Sequence, residues 1–283
     1  MDIQLQQHFA GLARDVLRLG LWLAILFAIF VPVERYFGRV PKKIIRKAFG
    51  TDVAYFFLSG LLPKLLLVVP LTFLAASLHR LVPSQSYASI AELPIWVRVA
   101  GAIVIGDIGT YWAHRLAHTI PFLWRFHAIH HSAEEVDWLV NSRGHPIDLA
   151  FTRLFGLVPM YVLGLAQPTG NDIDMVPILV VLIGTIWGFF IHANVGWRFG
   201  VLEWFISTPA FHHWHHANDS PAHVHQNFAP MLPWVDRVFG TYYLPASWPK
   251  KYGTDTAVSR NLVDQLLLRH PNYVASQERV VIR

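Results

Sequence analysis

The sequence contains no cysteine. That absence excludes disulfides, iron–sulfur clusters, thiolate-ligated haem and cysteine-type zinc sites, and leaves His, Asp and Glu as the only side chains able to hold a metal. Charge is scarce too: charged residues make up 14% of the chain, against 54% hydrophobic. A water-soluble domain of this length needs more charge to cover its surface. There is no HExxH sequence, the arrangement that would pair zinc with a glutamate base. The net charge of +5 is modest and its basic residues are dispersed. They suit a surface facing anionic lipid and give no nucleic-acid footprint.

What the chain does have is long apolar runs. Residues 19–33 form one; the Pro32-Val33-Glu34 that follows is not a small-residue cleavage site, so the run reads as an anchor helix. A basic stretch comes next, with Arg35, Arg39, Lys42, Lys43, Arg46 and Lys47. A second run over 53–78 contains Pro63 and Pro70 and predicts a kinked or broken helix. Further spans are predicted from Ile95 into His118, over 149–165 and over 176–192. The fold class expected is an all-α integral membrane protein with about four to five transmembrane helices and a cytosolic, histidine-rich helical cap. Residues 1–94 would be membrane-anchor helices, 95–245 the catalytic domain and 246–283 a cytosolic tail. Basic residues mark the cytoplasmic side. Counting crossings from the Arg35–Lys47 stretch then puts both histidine clusters on the cytoplasmic face of a multi-pass protein, in the cytoplasmic membrane if the source is bacterial.

Sixteen histidines are present, six of them between His114 and His145 and six between His212 and His225. On a helix, residues three and four apart share a face. That spacing pairs His114 with His118 and makes trios of His127, His130, His131 and of His212, His215, His216; His213 points elsewhere. With His192, these imidazoles are too many for one four-coordinate zinc and suffice for two metal ions with positions left open. Imidazole suits iron, zinc or copper, so ligand type does not choose the metal. Asp107, seven residues before His114 on the same helical face, is a candidate to support the site. His223 and His225 could line it or belong to a loop. Asp236 and Arg237 read as an ion pair, and Gly240 as a helix C-cap.

HxxxH, then HxxHH, then a distant HxxHH beyond a helical hairpin resembles the fatty acid hydroxylase/sterol desaturase superfamily. Other segments resemble it too: Asp107 to Arg115, Leu123 to Ser132, Arg143-Gly144-His145-Pro146, Thr208 to His212, and Asn227 to Thr241. The resemblance implies two iron ions (zinc being possible in purified material), held by His114, His118, His127, His130, His131, His192, His212, His215 and His216, with His145 at a further family position that Gly144 shifts. It implies O2 as co-substrate in hydroxylation or desaturation of a lipid C–H bond. The lipid could be a fatty acyl chain, an ether lipid, a sterol or a carotenoid. With no flavin or haem motif in the chain, electrons would come from a separate donor: a reductase, a ferredoxin or a cytochrome b5-like protein. Competing classes are a bis-histidine haem electron carrier, a membrane zinc hydrolase and an inactive lipid-binding relative.

Overall fold

The computed structural model describes residues 3–41, 43–83, 85–166, 175–220 and 224–269. His223, His270 and the segment 167–174 lie outside the described residues. Ten helices follow in chain order among them: α1 (Ile3–Phe37), α2 (Phe49–Leu81), α3 (Gln85–Ala91), α4 (Ile95–Thr119), α5 (Pro121–His131), α6 (Pro146–Val162), α7 (Met175–His192), α8 (Pro209–His215), α9 (Trp234–Val238) and α10 (Leu262–Leu266). Two 3-10 turns, Trp138–Ser142 and Gly200–Trp204, complete the set, and no strand occurs among the described residues.

The helix starts are written locally. α5, α6 and α8 each open with proline, whose fixed φ and missing N–H suit the first turn. Thr208 caps α8 by accepting from the Phe211 N–H. α2 runs unbroken through Pro63 and Pro70, where the sequence allowed for a break. Membrane helices tolerate proline when neighbouring groups satisfy the freed carbonyls.

Among the described residues, three helical stretches are long and apolar enough to cross a membrane: Gln6–Phe37, Phe49–Leu81 and Met175–His192. α3 and α4 meet at 109° and supply a fourth if the bent pair is one span. The stretch expected to span over 149–165 is α6, which has 17 residues. At 1.5 Å per residue it is about 25 Å long, slightly short of a full crossing.

The long helices alternate in direction and gather their ends around one region. At the C-terminal end of α1, Glu34 accepts from the N–H groups of Trp138 and Asn194, both at 2.8 Å. At the N-terminal end of α2, Asp52 receives Arg46 Nη2 and Arg143 Nε, both at 2.6 Å. Arg46 also reaches Asp137 at 2.5 and 2.7 Å, so four buried charges close a network beneath the site. Arg46, one of the basic residues expected to face lipid, is therefore interior. α4 packs mainly along α6, and glycine makes the approach possible: a Cβ at Gly109 would overlap the carbonyl oxygen of Phe155. Away from the site, Ala102, Met160 and Val176 join α4, α6 and α7 in a shared apolar cluster.

Candidate metal centre

Four helices deliver histidines to the region where the helix ends meet. α4 brings His114 and His118, α5 brings His127, His130 and His131, α7 ends on His192, and α8 with its C-cap brings His212, His215 and His216. The nine rings form two groups: His114, His118, His127, His131 and His215, and His130, His192, His212 and His216. Within each group one ring nitrogen per residue lies within 4.8 Å of all the others. The groups are neighbours, with the His131 and His216 rings stacked at 4.6 Å.

Helical spacing predicts the pairs but not the partition. Each i, i+4 pair stays together: His114 with His118, His127 with His131, His212 with His216. The third member of each trio crosses to the other group, His130 to one and His215 to the other. At about 100° per residue, i+3 and i+4 fall on opposite sides of residue i, so a trio straddles a face and can serve two centres.

The second ring nitrogen fixes each imidazole. Nδ1–H donates to a backbone carbonyl in His114 (Phe228, 2.7 Å), His130 (Arg143, 2.8 Å), His192 (Gly188, 2.7 Å) and His215 (Gln226, 2.8 Å). His127 Nδ1 donates to the carboxylate of Asp148 at 3.0 Å. A carbonyl oxygen can only accept, so in these rings the proton sits on Nδ1 and Nε2 is a bare lone pair. Yet His130 Nε2 and His192 Nε2 stand 3.3 Å apart, and His114 Nε2 and His127 Nε2 3.1 Å apart. Lone pairs facing each other with no proton between them repel; a cation between them turns the repulsion into coordination.

Orphaned nitrogens point the same way. Both ring nitrogens of His118, and Nδ1 of His212 and His216, are buried without a hydrogen-bond partner among the described residues, at a cost of about 1–3 kcal/mol for each group left unsatisfied. Burial first, and neighbouring imidazoles after it, hold His130, His131, His212, His215 and His216 well below the ordinary histidine range. They are neutral at physiological pH, the state that binds metal. Imidazole nitrogens bind zinc at about 2.0–2.1 Å, so opposite ligands stand about 4.2 Å apart and a 4.8 Å envelope needs only slight closure. The donor set fits two ions.

The remaining predicted residues sit elsewhere. His145 joins neither group: its Nδ1 caps α6 by accepting from the Ile147 N–H, and its Nε2–H donates to the Leu266 carbonyl. Asp107 makes its hydrogen bonds to the N–H groups of Met231 and Leu232, at 2.9 and 3.0 Å, and so ties the chain beyond α8 to α4. Asp148, which the sequence did not single out, is the carboxylate beside an imidazole. Its signal was its place in the first turn of α6, next to the Arg-Gly-His-Pro segment. His213 points away as expected, donating Nε2–H toward the carbonyls of His192 and Ala193 and accepting from the Tyr252 hydroxyl. His225 lies beside the first group, its ring 5.9 Å from that of His118. Asp236 and Arg237 do not pair. Asp236 accepts from the N–H groups of Phe228 and Ala229 and from the Thr241 hydroxyl, whereas Arg237 stacks on Trp204 and Tyr242. Gly240 does take the left-handed conformation of a C-cap, with φ +74°.

Comparison with known proteins places these residues in context. The sequence profile of the fatty acid hydroxylase family matches residues 99–241, a range containing all nine histidines. Ornithine lipid hydroxylase OlsE of Rhizobium tropici is 31% identical over 248 residues, covering 84% of this chain and 71% of that protein. Alkylglycerol monooxygenase of Xenopus tropicalis is 28% identical over 164 residues, covering 58% of this chain and 34% of that protein. Delta(7)-sterol 5(6)-desaturase ERG3B of Gibberella zeae is 27% identical over 158 residues, covering 53% and 43%. No solved structure matches.

Proposed function

Because the chain belongs to the fatty acid hydroxylase family, we propose that it is a membrane-embedded lipid hydroxylase that uses two iron ions and O2 to oxidise a C–H bond of an acyl chain. It is an oxidoreductase, as its relatives are. The observation that carries the finer reading is the two adjoining groups of largely buried imidazoles with facing Nε2 lone pairs. Two iron ions, when bound, supply the capacity to activate O2 toward an unactivated C–H bond.

The chain's own residues do the rest. Nδ1 hydrogen bonds hold five of the rings in one tautomer and orientation, and Asp148 adds negative charge behind His127. Seven of the nine rings are buried, which limits the access of water, and the Asp148 carboxylate beside His127 would offset part of the positive charge that two ions bring. Hydroxylation inserts one oxygen atom and releases the other as water, a balance that takes two electrons and two protons. A separate electron donor, a reductase, ferredoxin or cytochrome b5-like protein, supplies the electrons at the cytoplasmic face, where the helix ends and both histidine groups lie. The lipid enters sideways from the bilayer.

OlsE of Rhizobium tropici, whose alignment extends beyond the histidine region over most of the chain, supports a polar lipid with acyl chains as substrate in preference to a sterol. Clustering of nine histidines in two groups counts against a haem carrier. The test is to express the protein in a bacterial host, supply isotopically labelled O2 and profile the lipids by mass spectrometry. A lipid carrying one labelled oxygen, absent without O2 and absent in a His130→Ala/His215→Ala variant, is expected. Oxygen drawn from water, or unchanged lipids with an iron-loaded enzyme and an active donor, would overturn the reading.

A further inference from the structure

The turn Gly200–Trp204 is built inside out for a water-facing element. Its only acidic side chain, Glu203, is buried and accepts from Arg198 Nε and Nη2 and from the Phe199 N–H. Its apolar side chains point outward: Val201 is 72% exposed, and Leu202, Trp204 and the adjoining Phe205 are exposed as well. α9 shows the inversion at one side, with Asp236 buried beside Val235 while Val238 is 68% exposed. The two elements are fastened together by Arg237, whose guanidinium stacks on the rings of Trp204 and Tyr242 at 3.6 Å from each centroid. Single exposed apolar residues are ordinary on proteins, but a contiguous patch above buried carboxylates marks an interaction surface. None of these residues belongs to a helix long enough to span a membrane.

We propose that this face, formed by Val201, Leu202, Trp204, Phe205, Val238 and Phe239, is seated in the membrane surface. Its apolar side chains lie among acyl chains, with Arg198 and Arg237 at the level of anionic headgroups. Two observations choose lipid as the occupant. The patch is continuous with the flank of α4, since Phe239 packs on the exposed Trp112 at 4.9 Å and on Tyr111 at 5.1 Å. Its composition, aliphatic and aromatic side chains rimmed by arginine, is that of an element lying in the bilayer interface. The seat fixes the height of the site above the acyl chains: Phe205 leads into α8 and its histidines, and Tyr111 lies one turn before His114.

The absence of native cysteine makes the test clean. Val201→Cys, Phe205→Cys and Val238→Cys, with Arg260→Cys as a water-facing control, are spin-labelled in the full chain and placed in nanodiscs of mixed zwitterionic and anionic phospholipid. Collisions with O2, which concentrates in lipid, are expected to exceed those with a water-soluble nickel chelate at the three patch positions, and the order to reverse at 260. Nickel-chelate collisions at the patch equal to those at 260 would overturn the proposal. So would low accessibility to both reagents, the signature of a face covered by protein or by a second copy.

Discussion

Asp148 differs from the other partners of the nine imidazoles in carrying a formal charge. The other Nδ1 hydrogen bonds end on neutral carbonyls, whereas His127 donates to a carboxylate. A carboxylate there fixes the tautomer and orientation of the ring, and loss of such a partner costs about 10–100-fold in metal affinity. Asp148→Asn is therefore expected to weaken retention of one ion by that factor in a chelator competition, leaving the other unchanged. His145→Ala serves as the contrast: it removes an α6 cap worth about 1 kcal/mol and leaves retention of both ions as in the wild type. Equal retention in Asp148→Asn and wild type would remove Asp148 from the account. Eight of the nine histidines were legible from spacing because helical periodicity is a local property; His192, alone at the end of its helix, was named as a ligand only through the family resemblance. Their division between two centres was not legible, because it depends on which helix faces which. Asp148 escaped notice for the same reason: it reaches His127 only once α6 folds back on α5.

At the scale of elements, the close approach of α4 and α6 governs where His114 and His118 sit relative to α5. That approach depends on Gly109, which lies against the backbone of Phe155 and Gly156. Gly109→Ala is expected to lower stability by about 1–3 kcal/mol, read as a lower thermal midpoint in detergent, because backbone atoms must give way. Gly184→Ala, at an open position on α7, is expected to be neutral or slightly stabilising through helix propensity. Equal midpoints for the two variants would contradict the packing argument. The long apolar helices were readable from composition, since a run of apolar residues has few other solutions in a chain this poor in charge. The prolines of α2 misled because a missing N–H says where a helix can break, while neighbouring helices decide whether it does. The inverted turn at Gly200–Trp204 had no sequence signal, since burial of Glu203 rests on the ion pair with Arg198.

Across the whole molecule, helix ends from α1, α2, α4, α6 and α7 meet at one place, and the buried network of Arg46, Asp52, Asp137 and Arg143 underlies it. Arg143 links the two levels, because its side chain enters the network while its carbonyl accepts from His130. The bundle thus holds two sets of facing imidazole lone pairs that a bound cation would turn from repulsion into coordination. Purified in mild detergent with iron supplied and labile metal protected, the wild-type protein is predicted to hold two metal ions per chain by elemental analysis. His127→Ala/His131→Ala, which removes ligands from the first group alone, is predicted to hold one ion, and His130→Ala/His215→Ala, which strikes both groups, fewer than one. A wild-type protein that folds and yet holds no stoichiometric metal would contradict the account at its centre.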